Sequence, residues 1–127
     1  MASYVQTSGT LTTNSATYTP IPGLSIALDQ GVGVTVIVIL NVPNPYATGN
    51  DTPGGNFGIT VNGQLLPAFA SFTYNETVPP SSGRIPTTLV VGIPLAMDTQ
   101  TVQAVWSGVR GSTVHIDSPA TLSVSYS

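Results

Sequence analysis

The only cations besides a single histidine are two arginines, and both stand in turns that carry glycine. Arg84 lies in Ser81-Ser82-Gly83-Arg84-Ile85-Pro86, and Arg110 in Val109-Arg110-Gly111-Ser112. A guanidinium presents five N–H donors in a flat fork, which suits a carboxylate or neighbouring hydroxyls on a ligand. An isolated arginine usually pairs with an acid of its own protein; here the nearby Tyr and Thr residues tilt the reading towards a ligand. Tyr46, in Asn44-Pro45-Tyr46-Ala47-Thr48-Gly49-Asn50, stands in a turn-rich loop, and Tyr74 ends a strand beside the loop of Arg84. Such rings can pack on the C–H face of a sugar or simply hold a loop.

His115-Ile116-Asp117-Ser118 invites a catalytic reading, because residues two apart on a strand share a face and the carboxylate would orient the imidazole. A hydrolase also needs a nucleophile in a strained turn, and the chain has no G-x-S-x-G. Asp29, Asp51, Glu76, Asp98 and Asp117 form no obvious pair for glycoside hydrolysis. They also build no D-x-D run for calcium, and one His with no Cys cannot make a zinc site. The expectation is a binding module with no catalytic residue, no metal and no cofactor. Asn50-Asp51-Thr52 and Asn75-Glu76-Thr77 match glycosylation acceptors and read as chance matches in the absence of a signal peptide.

Composition narrows the partners. The 127 residues weigh 13.0 kDa, which suits one domain over 1–127. Only 6% are charged, against about 25% in an ordinary soluble domain, and the net charge is −3. Two arginines cannot neutralise a run of phosphates, so nucleic acid and a polybasic membrane contact are excluded as partners. The longest apolar run, Val36 to Leu40, is too short for membrane insertion as a helix. Zero cysteines removes disulfides and thiol nucleophiles. Met1-Ala2-Ser3-Tyr4-Val5-Gln6-Thr7 has neither a basic nor an apolar signal region. The expectation is a soluble protein made in the cytoplasm, with any export or surface display by a non-standard route.

The elements that must carry these residues are strands. Val and Thr abound, Gly and Pro punctuate the whole chain, and helix-forming Glu, Lys and Met are scarce or absent. Strands are expected at Leu24–Leu28, Val34–Asn41, Phe57–Val61, Gln64–Tyr74, Thr87–Ile93, Thr101–Trp106, Thr113–Ile116 and Thr121–Tyr126, with a tight hairpin turn at Asn62-Gly63. Eight to ten short strands predict an all-β two-sheet sandwich, most simply a jelly roll. Val34–Leu40 is apolar at nearly every position, which predicts cover on both faces, by another subunit or by an overlying loop. The irregular stretches Val42–Asn56 and Asn75–Pro86 read as binding loops.

Three of these segments together resemble a known family. Asn41-Val-Pro-Asn-Pro-Tyr-Ala-Thr-Gly-Asn50, Phe72-Thr-Tyr-Asn-Glu-Thr-Val-Pro-Pro-Ser-Ser-Gly-Arg-Ile-Pro86 and Val109-Arg-Gly-Ser-Thr-Val-His-Ile-Asp-Ser118 are similar, in order, to the TNF-like fucose-binding lectin domain at the N-terminus of bacterial superlectins. The resemblance runs from about Tyr18 to Ser125. It implies a jelly-roll sandwich forming a homotrimer, free of metal, with fucose and fucosylated, blood-group-type oligosaccharides bound between neighbouring chains. By motif, Thr73, Tyr74 and Arg84 would line one side of that site. Tyr46, Arg110 and Ser118 match other recognised positions, and His115 and Asp117 lie in the same motif. Asn56 stands where the family has a ligand-contacting Tyr, and Phe69 where it has an acid, which implies altered selectivity for the sugars next to fucose. The alternatives are a structural jelly-roll protein, capsid- or pilus-like, that assembles without sugar, and a hydrolase using His115 and Asp117.

Overall fold

The computed structural model describes residues 2–28, 31, 34–79 and 83–126, and these hold eleven strands and no helix. The strands are β1 (Ala2–Gln6), β2 (Leu11–Thr13), β3 (Thr19–Leu28), β4 (Thr35–Val42), β5 (Tyr46–Thr48), β6 (Gly54–Val61), β7 (Gln64–Thr73), β8 (Thr87–Pro94), β9 (Gln100–Val109), β10 (Thr113–Ile116) and β11 (Thr121–Tyr126). All eight expected strands are present, β10 and β11 at the expected bounds. One four-stranded sheet has the order β1-β11-β4-β8, a second β3-β9-β6-β7, and a short third β2-β10-β5. Every pairing is antiparallel and no sheet closes on itself, so the fold is an open all-β sandwich.

Alternation explains the layers. In β4 Val36, Val38, Leu40 and Val42 are buried, as are Leu122 and Val124 of β11. From the other sheet come Phe57 and Ile59 of β6 and Val102, Ala104 and Trp106 of β9, all at most 2% exposed. Burying each large aliphatic or aromatic side chain contributes about 1.5–3 kcal/mol. Among the described residues no buried side-chain polar atom lacks a hydrogen-bond partner, and no helix is long and apolar enough to cross a membrane.

Within one chain β4 is covered on one face only. Ile37 and Val90 remain 40% and 57% exposed on the other, with Tyr4 in register beyond them on β1, and no described segment overlies them. The overlying loop therefore does not exist among the described residues. None of the four strands of this sheet carries a charged residue.

Two further expectations change. Tyr46 opens β5 instead of standing in a loop, because Tyr46 and Ala47 pair with His115 and Val114. Strand β3 begins before the Pro20-Ile21-Pro22-Gly23 segment, which survives inside the strand because its pairing with β9 is interrupted between Pro20 and Ser25.

The β9–β10 hairpin turns through three residues, Arg110, Gly111 and Ser112. Arg110 and Gly111 both have positive φ, 50° and 74°, and the Ser112 N–H closes the turn on the Val109 carbonyl at 2.9 Å. Glycine adopts this conformation freely, whereas a side chain such as that of Arg110 holds it at a cost of about 1–2 kcal/mol. The Ser112 hydroxyl donates to the Val109 carbonyl and accepts the Gly54 N–H at 3.1 Å, at 1% residue exposure. It thereby ties the turn to the start of β6. At Gly54 a Cβ would run into the Phe72 carbonyl and Thr73, so only glycine lets β7 approach this closely. Ser112→Ala leaves a buried N–H without an acceptor, a loss of about 1–3 kcal/mol. Denaturant titration is expected to show that drop in unfolding free energy with an unchanged m value.

Candidate functional site

Strand pairing assembles one cluster at the end of the short sheet. Tyr46 and His115 are cross-strand partners, and their rings stack at 4.4 Å with 5° between planes. Two residues along, Thr48 on β5 shares that strand face, and its hydroxyl meets His115 Nε2 at 3.0 Å. Just past the end of β10, Asp117 takes the Arg84 guanidinium in a two-pronged contact, Nη1–Oδ1 2.7 Å and Nη2–Oδ2 2.9 Å. Arg84 Nη1 also donates to the Asn44 carbonyl, and its Cζ lies 4.3 Å from the Tyr46 ring centroid. The pair is open to solvent, with side chains 42% and 30% exposed. Arg84 thus has the acid partner that an isolated arginine usually finds, the only such ion pair among the described residues.

The second cluster forms where the β9–β10 turn reaches β7. Arg110 Nη2 donates to the Thr73 hydroxyl and the Thr52 carbonyl, each at 2.6 Å, while Nε is shared by the Asp51 and Thr52 carbonyls. The Thr73 hydroxyl in turn donates to the Thr52 carbonyl at 3.1 Å.

Tyr74 links the two. Its backbone N–H reaches the Pro53 carbonyl, its phenol donates to the Gly83 carbonyl, and its oxygen accepts the Ala47 N–H at 3.4 Å. The hydroxyl is thus engaged, and the half-buried ring packs edge-on against Phe72, centroids 6.2 Å apart. Ser118 is half-buried, and its hydroxyl bonds the Asp117 carboxylate. Asn56 stands apart from both clusters, on the outer face of β6 between Ser71 and Ser107, whose hydroxyl accepts its Nδ2 at 3.4 Å. It is one pleat from Gly54, the partner of Thr73, hence about 7 Å along the strand from the Arg110 cluster. Residues 81 and 82 of the Arg84 turn lie outside the described residues.

The electrostatics of the cluster follows from these contacts. Arg84 and the hydroxyl of Ser118 hold the Asp117 carboxyl below its usual range, and burial against Arg84 only partly opposes them. Both oxygens of Asp117 face Arg84, so the carboxylate acts on His115 through charge alone. Burial pushes the His115 imidazole below 6.5, with Arg84 adding to that and Asp117 opposing it. Burial likewise raises the Tyr74 phenol. Among the described residues no group of three His, Cys, Asp or Glu side chains converges as a metal site requires.

Asn44, Thr48, Thr52 and Ser112 take part without having been singled out in the sequence. For Thr48 a signal existed in the Tyr46/Thr48 alternation; Asn44 and Thr52 contribute backbone carbonyls, which no residue type announces.

An open sandwich that gathers its cations, half-buried rings and hydroxyls at one end has the parts that a lectin-type domain needs. Comparison with known families agrees: the Bc2l-C N-terminal domain family matches residues 2–125. The chain belongs to that family, the superlectin N-terminal domain that its three motifs resemble. A search of curated proteins found no match.

Because the folded His115 pKa lies below its unfolded value, folding disfavours the imidazolium. Its contribution to stability is complete above 6.5 and is lost as pH falls through the folded pKa. Thermal melting across this range is expected to show Tm declining below 6.5, and His115→Gln to flatten that part of the profile. The Asp117 loss, which belongs to pH below 3.8, remains in the variant.

Proposed function

We propose that this domain is a metal-independent lectin for fucose and fucosylated, blood-group-type oligosaccharides, with a TNF-like jelly-roll connectivity and sites between neighbouring protomers of a homotrimer. The observation that carries the reading is the state of the two guanidinium groups. Each is fixed by three of its N–H donors and keeps two: Nε–H and one Nη2–H on Arg84, and both Nη1–H on Arg110. Pre-positioned, charge-assisted donors beside aromatic rings are what recognition of neutral hydroxyls requires. Family membership supports the sugar as ligand, and the fucose preference rests on the resemblance of the three motifs.

Assembly has its own support. The outer face of β4 and β8, with Ile37 and Val90 exposed in an uncharged sheet, is suited to burial against another copy. In one chain Arg84 and Arg110 share no hydrogen-bond partner, consistent with each serving a different neighbour's site. The same apolar face alone would also suit a structural assembly protein, which would leave a glycan array silent. Nothing in the Asp117–Arg84 geometry favours turnover, so the domain is proposed to bind without catalysis.

Light scattering is expected to return three times 13.0 kDa. Arg84→Ala and Arg110→Ala should each fold and each weaken binding to immobilised fucose by about tenfold or more. Co-refolded mixtures of the two variants should regain binding, because some interfaces combine an intact Arg84 with an intact Arg110 from the next chain. Mixed trimers that bind no better than their parents would place both arginines in one chain's site or outside any site.

A further inference from the structure

The far end of the β6–β7 hairpin carries a cleft away from the arginine clusters. Strand β6 runs from Gly54 at the arginine end to Val61, so the two ends lie about 24 Å apart along the strand. There the pairing slips: Gly58 faces Phe69 but Thr60 faces Leu65, leaving Leu66, Pro67 and Ala68 as a bulge opposite Ile59. Pro67 has no N–H to return to the ladder, which suits it to this position. The bulge and the Asn62-Gly63 turn, with φ of 50° and 83°, border an open cleft of about 500 Å³. That lies within the range of small-molecule sites, about 300–1,000 Å³.

The lining is amide and aliphatic, with no charge. Asn62, Gln64 and Gln100 provide the amides; Val61, Leu65, Leu66 and Pro67 provide the apolar wall. Two of the amides are oriented from behind. Asn62 Oδ1 accepts the Thr101 N–H at 2.8 Å, and Gln100 Oε1 accepts the Ala96 N–H at 3.2 Å. A backbone N–H can only donate, so these contacts fix which amide atom is oxygen and leave the NH2 group of each side chain as the part able to meet a ligand. The site therefore offers fixed neutral donors beside a greasy wall.

We propose that this cleft is a second ligand site, for a neutral N-acetylated hexose. An acetamido group matches both halves of the lining, its carbonyl accepting from the Asn62 and Gln100 NH2 groups and its methyl resting on Val61, Leu65 and Pro67. The exposed Gln64 can donate to and accept from ring hydroxyls. Absence of charge in the lining disfavours anionic sugars, whose carboxylate would lose solvation without a cation in return. This site is separate from the arginine end, and the inference does not depend on fucose binding there.

The test is an NMR titration of the ¹⁵N-labelled full chain with N-acetylglucosamine, with glucose as the sugar lacking the acetamide. Saturable shifts of the Asn62, Gln64 and Gln100 side-chain amides are expected with N-acetylglucosamine, much weaker with glucose, and undiminished by excess fucose. Asn62→Asp and Gln100→Glu each keep the oxygen that serves the backbone N–H while removing the NH2 donor. Each should retain the wild-type spectrum away from the turn and weaken the titration about tenfold. No saturable shift at these amides, equal response to glucose, displacement by fucose, or unchanged affinity in both variants would each overturn the proposal.

Discussion

The buried Ser112 hydroxyl is the constraint on which the site depends. It closes the β9–β10 turn through the Val109 carbonyl and secures the first residue of β6 through the Gly54 N–H. From that one anchor the chain leads to Arg110 on one side and to His115 and Asp117 on the other, because β10 begins immediately after it. The left-handed conformation of Arg110 persists because surrounding bonds over-determine it, here the guanidinium bonds to Thr52 and Thr73. Gly54 completes the arrangement by letting Thr73 come within reach.

What the sheets add is separation of tasks. Inward-facing Val, Leu and Ile on alternating positions supply the stability, so the end carrying Arg84, Tyr46 and His115 can remain half-open and solvent-accessible without endangering the fold. A surface ion pair such as Arg84–Asp117 contributes little to stability. Its effect is to fix the guanidinium in one orientation while neutralising most of its charge, which suits a polyhydroxylated, uncharged ligand.

Much of this was legible in the sequence, for identifiable reasons. Period-two alternation in Phe57–Val61 and Leu122–Tyr126 is a local signal, and both segments are strands. Tyr46, Tyr74, Arg84, Arg110, His115 and Asp117 stood out by type and Thr73 through the resemblance, and the fold brings them to one end. Pairing was not legible. A three-residue strand such as β5 exists only because β10 lies beside it, so Tyr46 read as loop. Likewise the apolar run in β4 could not say what covers its outer face, since periodicity does not distinguish a loop from another subunit, and no described segment of the chain lies over Ile37 and Val90. The choice of an acid by Arg84, and of carbonyls by Arg110, depends on long-range contacts that no motif encodes.

The central claim is that scarce, pre-oriented arginine donors at one end of an open sandwich recognise a neutral sugar without metal. Isothermal titration calorimetry of the EDTA-dialysed protein with methyl α-L-fucoside tests it most directly. The account predicts exothermic, saturable binding with one site per chain, unchanged by added calcium. Absence of binding heat, or heat that appears only with calcium, would contradict it.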